Sequence, residues 1–328
     1  MGLNVCIIGC GDMGRQHANG WKLRGDSRIV AVCDLLEDRR MRLAEETGAT
    51  PYPDYHDAVL HEGVDVVSVC IPVCFHSEVS VFAADNGRHV LCEKPLALTL
   101  DQADAAIEAA RRNGVLLSTS FQCRGFARHR MVRQMVQTCS PVFARFTDIR
   151  EVRPKLAMHR KSENGGPVID MAGHFFDLMR WLTGCEPVSV YARGHVFGRG
   201  KERLAPVEDF AIDAADITVE MTGGHVLNVL VNWGMPEGFS GISEELIIGP
   251  SLSVQTVGKE LRIKRGSEME ILDASEGNPP GSSVRINDMA EAILNGRQPE
   301  VTGEDGRIAL KVSLAALQSI ETGEIIKL

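Results

Sequence analysis

The strongest constraint on this chain lies in its first thirty-four residues, which read as strand, glycine turn, helix and second strand. Leu3-Asn4-Val5-Cys6-Ile7-Ile8 is an apolar run of the kind that fills a buried parallel strand. Gly9-Cys10-Gly11-Asp12-Met13-Gly14 follows at once, and a second strand, Arg28 to Cys33, ends on Asp34. Each part has a mechanical job. Gly9 permits a tight turn, Gly11 admits a close backbone approach, and Gly14 lets helix and strand pack closely. Asp12 and Met13 open a helix whose unpaired N–H groups suit a pyrophosphate. Asp34 stands where a carboxylate accepts hydrogen bonds from a ribose diol. The unit therefore implies a dinucleotide, and a carboxylate at position 34 favours NAD over NADP because it repels a 2′-phosphate. Arg39 and Arg40 follow closely and read as a solvated helix face.

With 328 residues, two domains are expected. A hydrophobic fraction of 44% beside 24% charged residues suits an ordinary globular protein. The formal charge of −9 argues against nucleic acid. No apolar run is long enough to span a bilayer, so no membrane role is expected. No basic segment precedes the short run before Cys10, so it reads as a strand and not as a signal peptide, and the expected location is the cytoplasm. The nine cysteines form no C-x-x-C, which argues for reduced thiols and against a metal site.

Strand and helix patterns alternate through about residue 121, the rhythm of an α/β doubly wound parallel sheet, or Rossmann domain. Helices are expected over Glu37–Glu46, Asp54–Leu60 and Glu78–Asn86, and from a Thr99/Gln102 capping box to Asn113. Strands are expected over Asp65–Ile71, Arg88–Cys92 and Val115–Ser118. From residue 122 to 328 the pattern becomes α+β with a mostly antiparallel sheet. Its strands read as Val142–Val152, Pro187–Arg193, a hairpin of Ala214–Glu220 and His225–Asn232, and short runs between Glu244 and Leu272. One helix, from about Val168 to Leu182, interrupts them. Two more close the chain near Val284–Leu294 and Gly306–Ile320. Gly194 to Pro206 reads as the loosest loop.

Two constellations suit chemistry. Glu93-Lys94-Pro95 follows the fifth strand, and the carboxyl ends of such strands face the ligand crevice. Lys94 then lies beside the cofactor's reactive end, and Glu93 either holds the lysine or touches the nicotinamide ribose. Asp170 and His174 are four apart after a glycine-rich turn, so on one helix they share a face, and the carboxylate can orient the imidazole. Asp177 could join that face. A basic stretch, Arg150 to Lys155 with His159-Arg160-Lys161, reads as a solvated loop, with contact to an anionic substrate group as the alternative.

Together these motifs resemble the Gfo/Idh/MocA family of nicotinamide-dependent oxidoreductases. The resemblance rests on the glycine fingerprint, Ile71-Pro72 and His76 after the fourth strand, Glu93-Lys94-Pro95, and the glycine-led helix carrying Asp170 and His174. It covers essentially the whole chain. Val73 departs from the usual asparagine or proline. The resemblance implies a Rossmann domain followed by an open-faced sheet domain that binds substrate and oligomerises, with helices of about residues 284–328 packing back on the first domain. It implies cofactor contacts at Ile71, Pro72, His76 and Glu93. It also implies Lys94 as the residue that polarises the reacting oxygen, His174 as proton acceptor and Asp170 as its partner. The expected activity is hydride transfer between NAD and a secondary alcohol or ketone of a sugar, cyclitol or related polyol. Redox-neutral NAD-assisted glycoside cleavage, reduction of a dihydrodiol or tetrapyrrole, and a non-catalytic nucleotide-dependent sensor remain open alternatives. A homodimer or homotetramer is expected, since an open sheet face would expose apolar surface.

Overall fold

The computed structural model describes residues 2–275 and 283–328. The chain divides into two compact units, Met1–Gln122 with Pro279–Arg307, and Cys123–Asn278 with Ile308–Leu328.

The first unit runs β1 (Leu3–Ile8), α1 (Asp12–Arg24), β2 (Ser27–Cys33), α2 (Glu37–Thr47), β3 (Thr50–Tyr52), α3 (Tyr55–Val59), β4 (Val66–Val69), α4 (His76–Asp85), β5 (His89–Cys92), α5 (Leu100–Arg112) and β6 (Leu117–Thr119). Among the described residues its sheet has the order β3-β2-β1-β4-β5-β6, every pair parallel. That is the doubly wound arrangement expected. Local chemistry sets the boundaries. Thr99 caps α5 by accepting from the Gln102 N–H at 3.3 Å. The Gln102 side chain accepts instead from the Leu98 N–H at 3.2 Å, one residue short of a reciprocal capping box. Asp54 caps α3 at the His56 N–H, 2.9 Å away.

The second unit opens with α6 (Ala127–Val136) and continues through β7 (Phe143–Glu151), α7 (Gly166–Asp170), α8 (Ala172–Thr183), β8 (Pro187–His195), β9 (Ala214–Met221), β10 (Val226–Met235), β11 (Ile242–Ile248), β12 (Ser253–Val257), β13 (Glu260–Arg265) and β14 (Glu268–Asp273). Then come α9 (Ser283–Asn295), α10 (Gly303–Thr322) and β15 (Ile326–Lys327). The described sheet is ordered β14-β13-β12-β11-β7-β10-β9-β8-β15. Its pairs are antiparallel except β7 with β10.

Three expectations are corrected. The helix over 168–182 is two helices, with Met171 at φ −95° and ψ −47° between them, so Asp170 ends one and His174 lies in the next. The loop over 194–206 is pinned: Asp213 accepts from the Phe197 and Gly198 N–H groups at 2.6 and 2.7 Å, and buried Leu204 packs with Val152 and Val207. The terminal helices part company. α9 lies on α1 in the first unit, where Gly20 makes room because a Cβ there would stand 2.4 Å from Ile286 Cδ1. Residues 308–328 belong to the second unit instead, because β15 pairs with β8 and the Ser319 hydroxyl accepts from the Ala192 N–H at 2.9 Å. Ile286 is fully buried, a contribution of about 1.5–3 kcal/mol.

Candidate functional site

In the first unit the glycine turn is built as its sequence demands. Gly9 has φ +95°, and a Cβ there would stand 2.4 Å from the Cys70 carbonyl oxygen. A Cβ on Gly14 would stand 1.8 Å from the Gly9 carbonyl oxygen, so only glycine lets α1 start this close to β1. Gly11 is different. A Cβ there would meet only Arg39 Nη1, at 3.7 Å, so this side of the turn is open to a ligand. No side chain caps α1 at Gly11, and the positive end of a helix of this length favours an anion. Asp34 sits beside this turn, and its carboxylate accepts from the Cys10 N–H at 2.8 Å and the Leu36 N–H at 2.9 Å. Two backbone bonds thus fix the carboxylate in place, and each oxygen retains a lone pair for a ribose hydroxyl. These residues fit a dinucleotide.

Two further strand ends of this unit carry the other expected residues. Ile71 and Pro72 follow β4, and Glu93-Lys94-Pro95 follows β5. Glu93 is buried, and its Oε1 accepts from His17 Nε2 at 2.9 Å. Burial alone would raise this carboxyl. The hydrogen bond and charge of His17, joined by the charge of Lys94 and a bond to Ser120, instead hold it at about 2. His76 is enclosed at 1% exposure, with Nδ1 2.8 Å from the Pro95 carbonyl oxygen and Nε2 2.9 Å from that of Ile71. Burial pushes its imidazole pKa down. Both His76 ring nitrogens face backbone carbonyl oxygens, one on each of two neighbouring turns. The ring ties the Ile71 turn to the Lys94 turn.

The second unit carries Asp170 and His174. Gly165 and Gly166 have φ +79° and +71° and lead into α7. A Cβ on Gly166 would lie 2.8 Å from the Ile212 carbonyl oxygen, so the glycine turn lets α7 settle on its neighbours. Asp170 and His174 are both buried. The Asp170 Oδ2 accepts from Asn164 Nδ2 at 2.7 Å. Asp177, one turn beyond His174, takes a two-pronged contact from buried Arg124, whose Nε donates to Oδ2 at 2.9 Å. His17, Asn164 and Arg124 escaped the sequence reading. His17 had a signal: it shares a buried face of α1 with Gly14, Ala18 and Trp21. Asn164 and Arg124 had none, since their meaning lies in partners that only the fold supplies.

The basic stretch is largely satisfied from within. Arg150 forks onto Asp148 with bonds of 2.7 to 3.0 Å, and Arg160 pairs with Glu163. The His159 ring accepts from the Arg153 N–H at 3.0 Å, and burial pushes its pKa down. Among the described residues no group of three or more His, Cys, Asp or Glu is gathered for a metal. No described helix is long and apolar enough to cross a membrane.

A parallel sheet with this glycine turn defines the first unit as a dinucleotide-binding Rossmann domain. The model of an oxidoreductase family with an NAD-binding Rossmann fold matches residues 3–121, and that of the GFO/IDH/MocA C-terminal domain matches 139–256. The chain belongs to the GFO/IDH/MocA family. It is 28% identical to a myo-inositol 2-dehydrogenase of Thermotoga maritima, over 99% of this chain and 98% of the relative. It is 31% identical to an inositol 2-dehydrogenase of Rubrobacter xylanophilus, over 97% and 91%. Its fold matches that of an aldose-aldose oxidoreductase from Caulobacter crescentus with a TM-score of 0.87 at 23% identity, covering 100% of both chains.

Proposed function

We propose that this enzyme oxidises a secondary hydroxyl of a neutral cyclitol or sugar with NAD, Lys94, Asp170 and His174 carrying the chemistry. The observation that carries the reading is a lysine at the carboxyl end of β5, in the same unit as the glycine turn, in a chain related along almost its whole length to inositol dehydrogenases. A bound dinucleotide would supply the hydride acceptor. Gly9, Gly11, Asp12, Met13 and Gly14 grip its pyrophosphate, Asp34 takes the adenosine ribose, and Ile71 and Pro72 border it. The Lys94 ammonium stabilises negative charge as it develops on the carbinol oxygen. His174 takes the hydroxyl proton, and Asp170, steadied by Asn164, is its partner.

Asp34 sets the preference for NAD over NADP, with Arg39 as a counterweight beside Gly11. A neutral substrate is favoured because Arg150 and Arg160 already hold carboxylates of the protein. The protein assembles as a homodimer or homotetramer through its sheet, where Phe143 and Ile248 are register partners, exposed at 59% and 46%. It works in the cytoplasm, where its nine unbridged cysteines stay reduced.

The test is reduced-nicotinamide formation from NAD and NADP in parallel, across inositols, aldoses, uronic acids and sugar phosphates. Turnover of a neutral polyol with NAD is expected. Activity confined to the anionic compounds or to NADP would overturn the reading.

A further inference from the structure

Residue 17 lies on α1, the helix that begins at the glycine turn, and its ring has 0% exposure. Its Nε2 reaches Glu93 Oε1 at 2.9 Å, across 76 positions of sequence. A carboxylate can only accept, so Nε2 is the donor, and Nδ1 is left buried with no hydrogen-bond partner among the described residues. One turn further, Trp21 Nε1 donates to Ser68 Oγ on β4 at 2.9 Å. Two polar side chains four apart thus fasten α1 to the sheet, one at β4 and one just past β5.

The residue after Glu93 is Lys94, and Pro95 beyond it is held by His76. The lysine turn is therefore gripped by a buried histidine on each side, through the Glu93 carboxylate and through the Pro95 carbonyl. A histidine is a costly way to fill a core position, since its second nitrogen is stranded. Packing alone would be served by an apolar ring. What an apolar ring cannot do is bind the Glu93 carboxylate and so fix the backbone from which the Lys94 ammonium extends. The helix that grips the pyrophosphate then also sets the stance of the lysine.

We propose that His17 is a positioning residue. Through Glu93 it holds the Lys94 turn in register with the glycine turn, so that a bound dinucleotide and the lysine share one rigid helix as reference. The functional half of this inference rests on the role given to Lys94 above; the structural half does not.

The experiment is amide hydrogen exchange on the full-length protein, with and without NAD, for His17→Phe and His17→Gln. Glutamine keeps a donor for Glu93, whereas phenylalanine keeps only bulk. In His17→Phe, exchange in the segment from Cys92 to Ala97 should rise about tenfold, while β1 and the glycine turn stay protected. NAD affinity should change less than about threefold, and His17→Gln should restore protection. A uniform rise across the unit would make His17 an ordinary core residue and overturn the proposal, as would unchanged exchange at 92–97. The kcat of His17→Phe should fall with KM nearly unchanged, with Lys94→Ala as reference. Normal turnover in Lys94→Ala would remove the lysine's role while leaving the exchange result standing. A dead Lys94→Ala beside an unimpaired His17→Phe would reject the positioning role alone.

Discussion

Among the described residues each unit holds a glutamate–histidine pair, buried at Glu93 and half-buried at Glu245, with nearly the same contact: 2.9 Å for Glu93 with His17 and 3.0 Å for Glu245 with His129. Both carboxyls are held at about 2 against the pull of burial. Their surroundings differ. The second His129 nitrogen lies 2.8 Å from the Cys123 carbonyl oxygen, and Glu245 also accepts from Thr256 Oγ1 at 3.3 Å and lies 3.7 Å from Arg128. Apolar Val132, Phe146, Leu178 and Ile247 close around that pair. It is a saturated cross-tie between α6 and β11. Glu93 stands instead beside the one lysine proposed to act on substrate, and its histidine leaves a nitrogen unbonded. The same two residue types thus tie the fold together at Glu245 and, on the proposal above, aim a side chain at Glu93.

The comparison can be broken at several points. The largest effect is expected from removing the groups proposed to act on substrate: Lys94→Ala and His174→Ala should each lower kcat about 10²-fold or more with NAD binding retained, as steady-state kinetics and calorimetry would show. Next, Glu245→Gln and Glu93→Gln should each lower unfolding stability by about 1–3 kcal/mol in urea titrations. Only Glu93→Gln should lower kcat of the folded fraction as well. An equal loss of turnover in both variants would erase the distinction drawn here.

A third test uses acid. Both carboxyls lie below their ordinary 4.5 when folded, so the unfolded chain binds more protons between pH 4.5 and about 2. The stability these groups supply is complete above that window and is lost as pH falls through it. Either glutamine variant should flatten the acid limb of unfolding free energy, and an unaltered slope would deny the pairing. The smallest effect is at the adenosine end, where Asp34→Ser should shift the NAD to NADP ratio of kcat/KM about tenfold toward NADP.

Legibility in the sequence divides along the same line as the two units. In the first, local grammar carried most of it: the apolar runs of β1 and β4, the glycine turn, and the Asp54 and Thr99 caps each act within a few residues, while the short strand Thr50–Tyr52 went unread. In the second, the controlling partners are remote. Pairing of β7 with β10 joins Phe143 to Val226, and no pattern of alternation states that the pair is parallel. α6 went unread because Arg128, Arg130 and Arg133 mask the buried stripe of His129, Val132 and Val136. The break at Met171 follows neither proline nor glycine at that position, so the sequence read as one continuous helix. Lys94, Asp170 and His174 were visible as motifs. His17 and Asn164 became visible only once the chain was folded, and His76, legible as a motif residue, showed its two backbone partners only then.

One feature of the glycine turn reaches past this molecule's own workings. With the Gly9 oxygen 1.8 Å from where a side chain would begin, codon 14 is closed to every other amino acid unless the strand and helix move apart. A saturation library at that codon should therefore return glycine alone among folded, NAD-binding clones. Drift there is barred in a way that drift at neighbouring Asp12, on the rim of the same turn, is not.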